Sequence, residues 1–133
     1  MLSARVTAES CCTLAREPDE ILTGLTWPED DREGHWLEVR FGNLSVVSLY
    51  LPSGSSNSER QAVKFDVMAQ LAESLRAMRA SGRDHLLCGD WNIAHKEIDL
   101  KNWRVNRDHS GFLSEELAWL DALFGPLGWV DTF

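Results

Sequence analysis

Residues 85–95 read HLLCGDWNIAH. The first six form an apolar run of strand length that ends on a carboxylate, Asp90, with Trp91 beside it and Asn92 one further on. Asp and Asn are poor strand formers and often simply turn the chain, their side chains bonding nearby backbone. At the tip of a buried strand they have a second reading. In α/β sheets functional groups collect at strand ends and in the loops that follow. The neighbours of this stretch decide between the two.

On its N-terminal side lies a helix. Ser58 and Gln61 fit a capping box, Met68, Leu71, Leu75 and Met78 recur at helical spacing, and Ser81-Gly82 ends the run. Before it, PSGSSNS is a Gly/Ser loop, and HWLEVRF and LSVVSLYL flank Gly42-Asn43, a two-residue link typical of a hairpin. EILTGLTW reads as a further strand running into the acidic turn PEDDREG.

On the C-terminal side, residues 91–112 are polar and aperiodic and read as an extended loop. Loops of that length in a compact domain are usually functional or disordered. A second helix spans 114–124, with Leu117, Leu120, Leu123 and Phe124 inward and Glu115 and Glu116 set against its dipole. Gly125-Pro126 stops it, and GWVDTF reads as a last strand. This order predicts an α/β or α+β fold in one domain. It also predicts that Tyr50-Leu51-Pro52-Ser53-Gly54 and Gly89-Asp90-Trp91-Asn92 meet at one edge of a sheet.

Composition narrows the class. A chain of 133 residues with 44% hydrophobic and 26% charged residues is an ordinary globular one. No apolar run approaches the roughly 18 residues of a membrane span, and no leader is evident. The three cysteines are expected as reduced thiols in the cytoplasm, with Cys88 buried and inert. The net charge of −8 argues against a protein that simply coats nucleic acid. Residues 17–38 carry Glu17, Asp19, Glu20, Glu29, Asp30, Asp31, Glu33 and Glu38 against a single Arg32. Residues 95–109 instead hold Lys96, Lys101, Arg104 and Arg107 against Glu97, Asp99 and Asp108, with a histidine at each end. That local balance permits a phosphate partner and equally describes a solvated loop.

The stretches SLYLPSG, GDWNIAHKEIDLKNW, HSGFLSEELAWLD and GWVDTF resemble the exodeoxyribonuclease III family of apurinic/apyrimidinic endonucleases, within the endonuclease/exonuclease/phosphatase superfamily. The Gly-Asp-x-Asn core serves that whole superfamily. The following IAHKEIDLKN and SGF point to its DNA-repair branch. The resemblance runs from about Arg16 to Phe133, a partial domain, and leaves residues 1–15 unmatched. It implies a share of a four-layer α/β sandwich, incomplete in this chain. It also implies Mg²⁺-dependent hydrolysis of phosphodiesters at abasic sites and 3′ ends of double-stranded DNA, with Mn²⁺ as an alternative metal and a monomer as the full-length state.

Phosphodiester hydrolysis needs an activated water and stabilisation of charge on the phosphoryl oxygens. By resemblance Asp90 accepts or aligns the water's proton, Asn92 stabilises the transition state and Tyr50 contacts the phosphate. Asp90 and Asn92 are also the candidate metal ligands, and i, i+2 spacing would put both on one side of an extended segment. The resemblance makes Lys101, Asn102, Arg104, Asn106, Arg107 and His109 the DNA-facing residues. Trp103 is expected to pack, and Trp119 and Trp129 to lie in the core.

The departures count as well. His35 follows Gly34 where the family usually has Arg, and the family's early Asn segment, its chief Mg²⁺-binding Glu, its later Asp motif and its closing Asp-His pair have no counterpart. A truncated or frame-shifted gene would produce this pattern. The isolated chain is therefore expected to be weak or inactive, and two alternatives stay open: a non-catalytic fragment, and a superfamily phosphatase acting on another phosphoester.

Overall fold

The computed structural model describes residues 16–24, 36–55 and 57–132. Residues 1–15 with Cys11 and Cys12, the acidic stretch 25–35 with His35, Ser56 and Phe133 lie outside them, with the expectations placed there. The chain divides into two compact units, one of Met1–Tyr50 with Arg83–Asp90, the other of Leu51–Gly82 with Trp91–Phe133.

The first unit is a mixed sheet. Among the described residues its strands are β1 (Glu20–Thr23), β2 (Trp36–Phe41), β3 (Leu44–Tyr50) and β4 (Asp84–Asp90), in that spatial order. The first three run antiparallel, and Phe41 pairs with Leu44 across the two-residue link. Gly42 opens that link with φ of 56°, a conformation only glycine takes without cost. Its N–H donates to Asp19 at 2.5 Å and its carbonyl accepts from Arg83 at 2.9 Å, so the hairpin tip is tied to both flanking segments.

β4 runs parallel to β3, from Leu44 opposite Asp84 to Tyr50 opposite Asp90. A parallel neighbour requires a long crossover, and the chain supplies one in the 23-residue helix α1 (Ser58–Ala80). Alternation shows clearly in β3. Ser45, Val47 and Leu49 are buried, whereas Val46, Ser48 and Tyr50 are half-buried. A polar ladder crosses three strands, from exposed Glu20 to buried Glu38 and Ser45. Arg40 reaches Glu20 at 2.8 Å and Glu38 at 2.7 Å, and Arg83 donates to Ser45 at 3.1 Å. Burial pushes the Glu38 carboxyl up, but hydrogen bonds from Arg40 and Ser45 and the charges of Arg40 and His85 outweigh it, holding the group below the usual carboxylate range.

The expectation of a buried β4 fails. Leu86 is 49% exposed and Cys88 is exposed as well. Among the described residues β4 is an edge strand paired with β3 alone, so an apolar run does not guarantee burial.

The second unit is helical. α1 begins at an N-cap on Asn57, whose side chain accepts from Arg60 N at 2.8 Å. The cap is thus Asn57, not the Ser58–Gln61 box, and Ser58 is the first helical residue. Val67, Met68, Leu71 and Leu75 are buried as the spacing requires, and Met78 is half-buried. Residues 91–112 are more ordered than a bare loop, holding a 3-10 turn (Glu97–Asp99) and the short helix α2 (Trp103–Asn106).

α3 (Ser114–Phe124) buries Leu120 and Leu123, and Trp119 ties it to α1 by donating to Met68 O at 3.0 Å. Leu117 and Phe124 are only half-buried. GWVDTF forms no strand over its described residues. Instead Gly128, at φ of 71°, helps fold the chain back on α3, with Trp129 N donating to Leu123 O at 3.0 Å. A strand needs a neighbour to take its N–H and C=O groups, and among the described residues this segment has none. No described helix is long and apolar enough to cross a membrane.

Candidate active site

Tyr50 and Asp90 form the last rung of the parallel β3–β4 ladder. Register places them side by side at the C-terminal ends of adjacent strands, and Asp90 is exposed there while Tyr50 is half-buried. Gly89 makes the rung possible. It has φ of 138°, and a Cβ on it would run into the Leu49 carbonyl. The glycine of Gly-Asp-x-Asn therefore lets β4 approach β3 immediately before the carboxylate.

Asn92 departs from the extended geometry expected of it. Its φ is 48°, in the left-handed region, so the i, i+2 argument that put it on one side with Asp90 fails. Asn tolerates this conformation better than other non-glycine residues. The Asn92 side-chain nitrogen donates to Leu51 O at 2.7 Å, and its own carbonyl accepts from Lys64 Nζ at 2.8 Å.

Around that carbonyl the second unit gathers three motif stretches. Ala94 N donates to Gly111 O at 2.8 Å, and Gly54 N donates to Ser110 Oγ at 3.1 Å. Gly111 has φ of 94°, and a Cβ there would stand 3.1 Å from Asn92 O. LPSG, NIAH and SGF are thus bonded to one another.

Lys64 and Glu116 were missed from sequence. They pair at 2.6 Å and both side chains are 0% exposed. Glu116 spends its second oxygen on Gly111 N at 2.7 Å and Leu113 N at 3.0 Å, and Gln61 donates to its first at 3.3 Å. A signal was present. Lys64 stands four residues before Met68 and Glu116 four before Leu120, so each extends the apolar stripe of its helix.

The residues expected to face DNA lie mostly on the surface. Lys101, Asn102, Arg104, Arg107 and His109 are exposed and Asn106 is half-buried. Three of these take part in local structure. Asn106 donates to Asn102 O at 3.2 Å and to Lys101 O at 3.5 Å, while Asn102 has φ of 59°. Arg104 sits over the Trp103 ring, 5.0 Å from its centroid. Among the described residues Lys101, Arg104 and Arg107 have no carboxylate partner.

The segment is anchored at its start. His95 and Lys96 reach Asp121 at 2.8 and 3.3 Å. The His95 hydrogen bond, then that of Lys96, holds the Asp121 carboxyl below its usual range. Among the described residues no group of three or more His, Cys, Asp or Glu side chains converges as a metal cage. Asp90 offers a single carboxylate at its strand end.

Comparison with known proteins agrees with the motifs. Residues 11–133 match the model of the Endonuclease/Exonuclease/phosphatase family. A Bacillus subtilis protein named exodeoxyribonuclease is 35% identical over 121 residues, covering 89% of this chain and 46% of the relative. The zebrafish (Danio rerio) DNA repair nuclease APEX1 is 33% identical over 120 residues, covering 88% and 37%. Among solved structures, a 3′-5′ exonuclease from Neisseria meningitidis superposes with a TM-score of 0.76 at 24% identity, over 86% of this chain and 45% of that one. The fold is therefore shared, and the chain spans less than half the length of these relatives.

Proposed function

Since this chain belongs to the Endonuclease/Exonuclease/phosphatase family, we propose that it carries part of the active site of a DNA-repair nuclease. The proposed reaction is phosphodiester hydrolysis at abasic sites and 3′ ends of double-stranded DNA. The observation that supports it best is the Tyr50–Asp90 rung, a phenol and a carboxylate side by side at adjacent strand ends. The names of the Bacillus and zebrafish relatives point the same way.

In this reading Asp90 accepts or orients the proton of the attacking water, which an exposed carboxylate at a strand tip can do. Tyr50 donates its O–H to a phosphate oxygen, and the Asn92 carboxamide donates to charge developing on the phosphoryl group. Lys101, Arg104 and Arg107 pair with backbone phosphates, which orients a duplex without reading its sequence.

The family resemblance implies Mg²⁺ or Mn²⁺, which would polarise the phosphoryl oxygens. Mg²⁺ is usually held by one or two carboxylates plus water and phosphate. Asp90 alone among the described residues fits only part of that set, so the described residues do not make a metal site by themselves. The 133-residue chain is accordingly expected to show no Mg²⁺-dependent incision of an abasic duplex above background.

The test separates chemistry from completeness. Residues 16–133 would replace the matched stretch of the Bacillus exodeoxyribonuclease, and the chimera would be given a labelled abasic duplex. It should incise, Asp90→Asn should abolish turnover while DNA binding persists, and Asn92→Ala should cost about 10²–10³ in rate. Turnover by the Asp90→Asn chimera within a few-fold of the parent removes Asp90 from the mechanism.

A further inference from the structure

Asn92 and Asn102 are the two non-glycine residues with left-handed backbone among the described residues. Asn102 lies exposed, and its neighbour Asn106 bonds its carbonyl. Asn92 is held quite differently. Its carbonyl accepts from Lys64 at 2.8 Å, and Lys64 in turn is paired at 2.6 Å with Glu116, both fully buried. Its side chain is fixed on Leu51 O at 2.7 Å. Gly111, whose N–H is bonded by Glu116 at 2.7 Å, leaves just enough room for the Asn92 carbonyl.

Non-glycine residues in this conformation persist where the surroundings over-determine them, and they cluster at functional sites. A buried ion pair, for its part, is a poor stability device, because desolvation offsets much of the attraction and apolar replacements often do as well. What this pair does that an apolar pair could not do is place an N–H on the Asn92 carbonyl. Both carboxylate oxygens of Glu116 are engaged at the same time, by Lys64 and Gln61 on one and by Gly111 and Leu113 on the other, so the network has few alternative arrangements.

We propose that Lys64 and Glu116 are positioning residues for Asn92: the buried pair locks its left-handed backbone and so aims its carboxamide at a phosphodiester of DNA. The proposal rests on the reading of Asn92 as a phosphate-contacting group. Neither Lys64 nor Glu116 touches the substrate. Lys64 acts through the carbonyl of Asn92, and Glu116 acts by orienting Lys64 and by setting Gly111 against that same carbonyl.

The experiment is nuclear magnetic resonance on the full 133-residue chain labelled with ¹⁵N and ¹³C. Two signals of Asn92 are followed: its backbone carbon shifts, which report φ, and hydrogen exchange of its side-chain amide. The variant is Lys64→Met with Glu116→Gln, which leaves no unpaired charge buried. In it the carbon shifts should move away from left-handed values, and side-chain exchange should speed up about ten-fold or more while helix amides elsewhere stay protected.

Lys64→Arg, which keeps a charged donor on a long side chain, should keep both signals. Unchanged Asn92 signals in the double variant overturn the proposal. Loss of both in a cooperatively folded Lys64→Arg chain overturns it as well, and that variant decides the matter if the double variant does not fold. A titration with an abasic duplex forms a separate arm. A wild-type Asn92 amide that ignores the duplex overturns the phosphate reading of Asn92 and leaves the exchange result to judge the positioning.

Discussion

Lys64–Glu116 and Lys96–Asp121 are both lysine–carboxylate pairs in the same helical unit, and their surroundings could hardly differ more. The first closes at 2.6 Å with both side chains 0% exposed; the second spans 3.3 Å with side chains 59% and 63% exposed. Water screens the exposed pair and can replace either partner, so it constrains little. The buried pair has no such substitute. Once both charges are out of water, every remaining lone pair and N–H must be answered inside the protein. That is why Glu116 also holds Gly111, Leu113 and Gln61, and why Lys64 also holds Asn92. Identical chemistry thus yields a rigid scaffold in one place and a surface anchor in the other.

The largest expected effect breaks the buried member. Glu116→Ala leaves the Lys64 charge unpaired and should destabilise the chain by about 3–5 kcal/mol, read from urea unfolding. Removing both charges, with Lys64→Met and Glu116→Gln, should recover part of that loss. A double variant no more stable than Glu116→Ala would show that backbone capping by Glu116, not charge pairing, dominates. Asp121→Asn should leave the unfolding midpoint within experimental scatter.

An intermediate effect sharpens the exposed side. If Lys101, Arg104 and Arg107 meet phosphates as proposed, neutralising any one should weaken binding to every duplex sequence. It should also reduce the slope of log K against log salt by roughly one unit. Slopes unchanged for all three would return the segment to the solvated surface.

The smallest effect is read in pH. Glu38 and Asp121 both have carboxyls held below the usual range when folded. The unfolded chain therefore binds more protons, and stability rises with pH across the window. The contribution is complete above the unfolded value, about 4, and is lost as pH falls through the lower folded one. Glu38→Gln should flatten this acid slope more than Asp121→Asn, because the bonds of Arg40 and Ser45 to Glu38 are sheltered and those to Asp121 are screened by water. Equal flattening in the two variants would remove burial as the distinguishing cause.

Much of this was open to a reader of the chain alone. The Gly42-Asn43 hairpin, the ends of α3 and the strand at His85–Asp90 follow from local rules of turn chemistry and periodicity, and each stands in the structure. The adjacency of Tyr50 and Asp90 was anticipated from strand order. GWVDTF has the composition of a strand but no neighbour to pair with among the described residues, and composition carries no information about neighbours. Cys88 and Leu86 look like core residues in a one-dimensional pattern. Their exposure goes with the position of β4 at the edge of the sheet formed by the described strands.

The polar residues divide along the same line. The Gly-Asp-x-Asn motif is legible because it is contiguous, and its glycine is explained by one close approach, to the Leu49 carbonyl. Lys64 and Glu116 are separated by the end of one helix, a strand and a long segment. Their places on the apolar stripes of two helices hint at burial, but nothing local says that the two side chains will meet. By itself the sequence determined the hairpin, the two long helices, the motif and the family, since these depend on the order of residues along the chain. Only the tertiary structure decided which charges leave water and which backbone conformation Asn92 holds. Desolvation and hydrogen-bond satisfaction are settled by what surrounds a group in space.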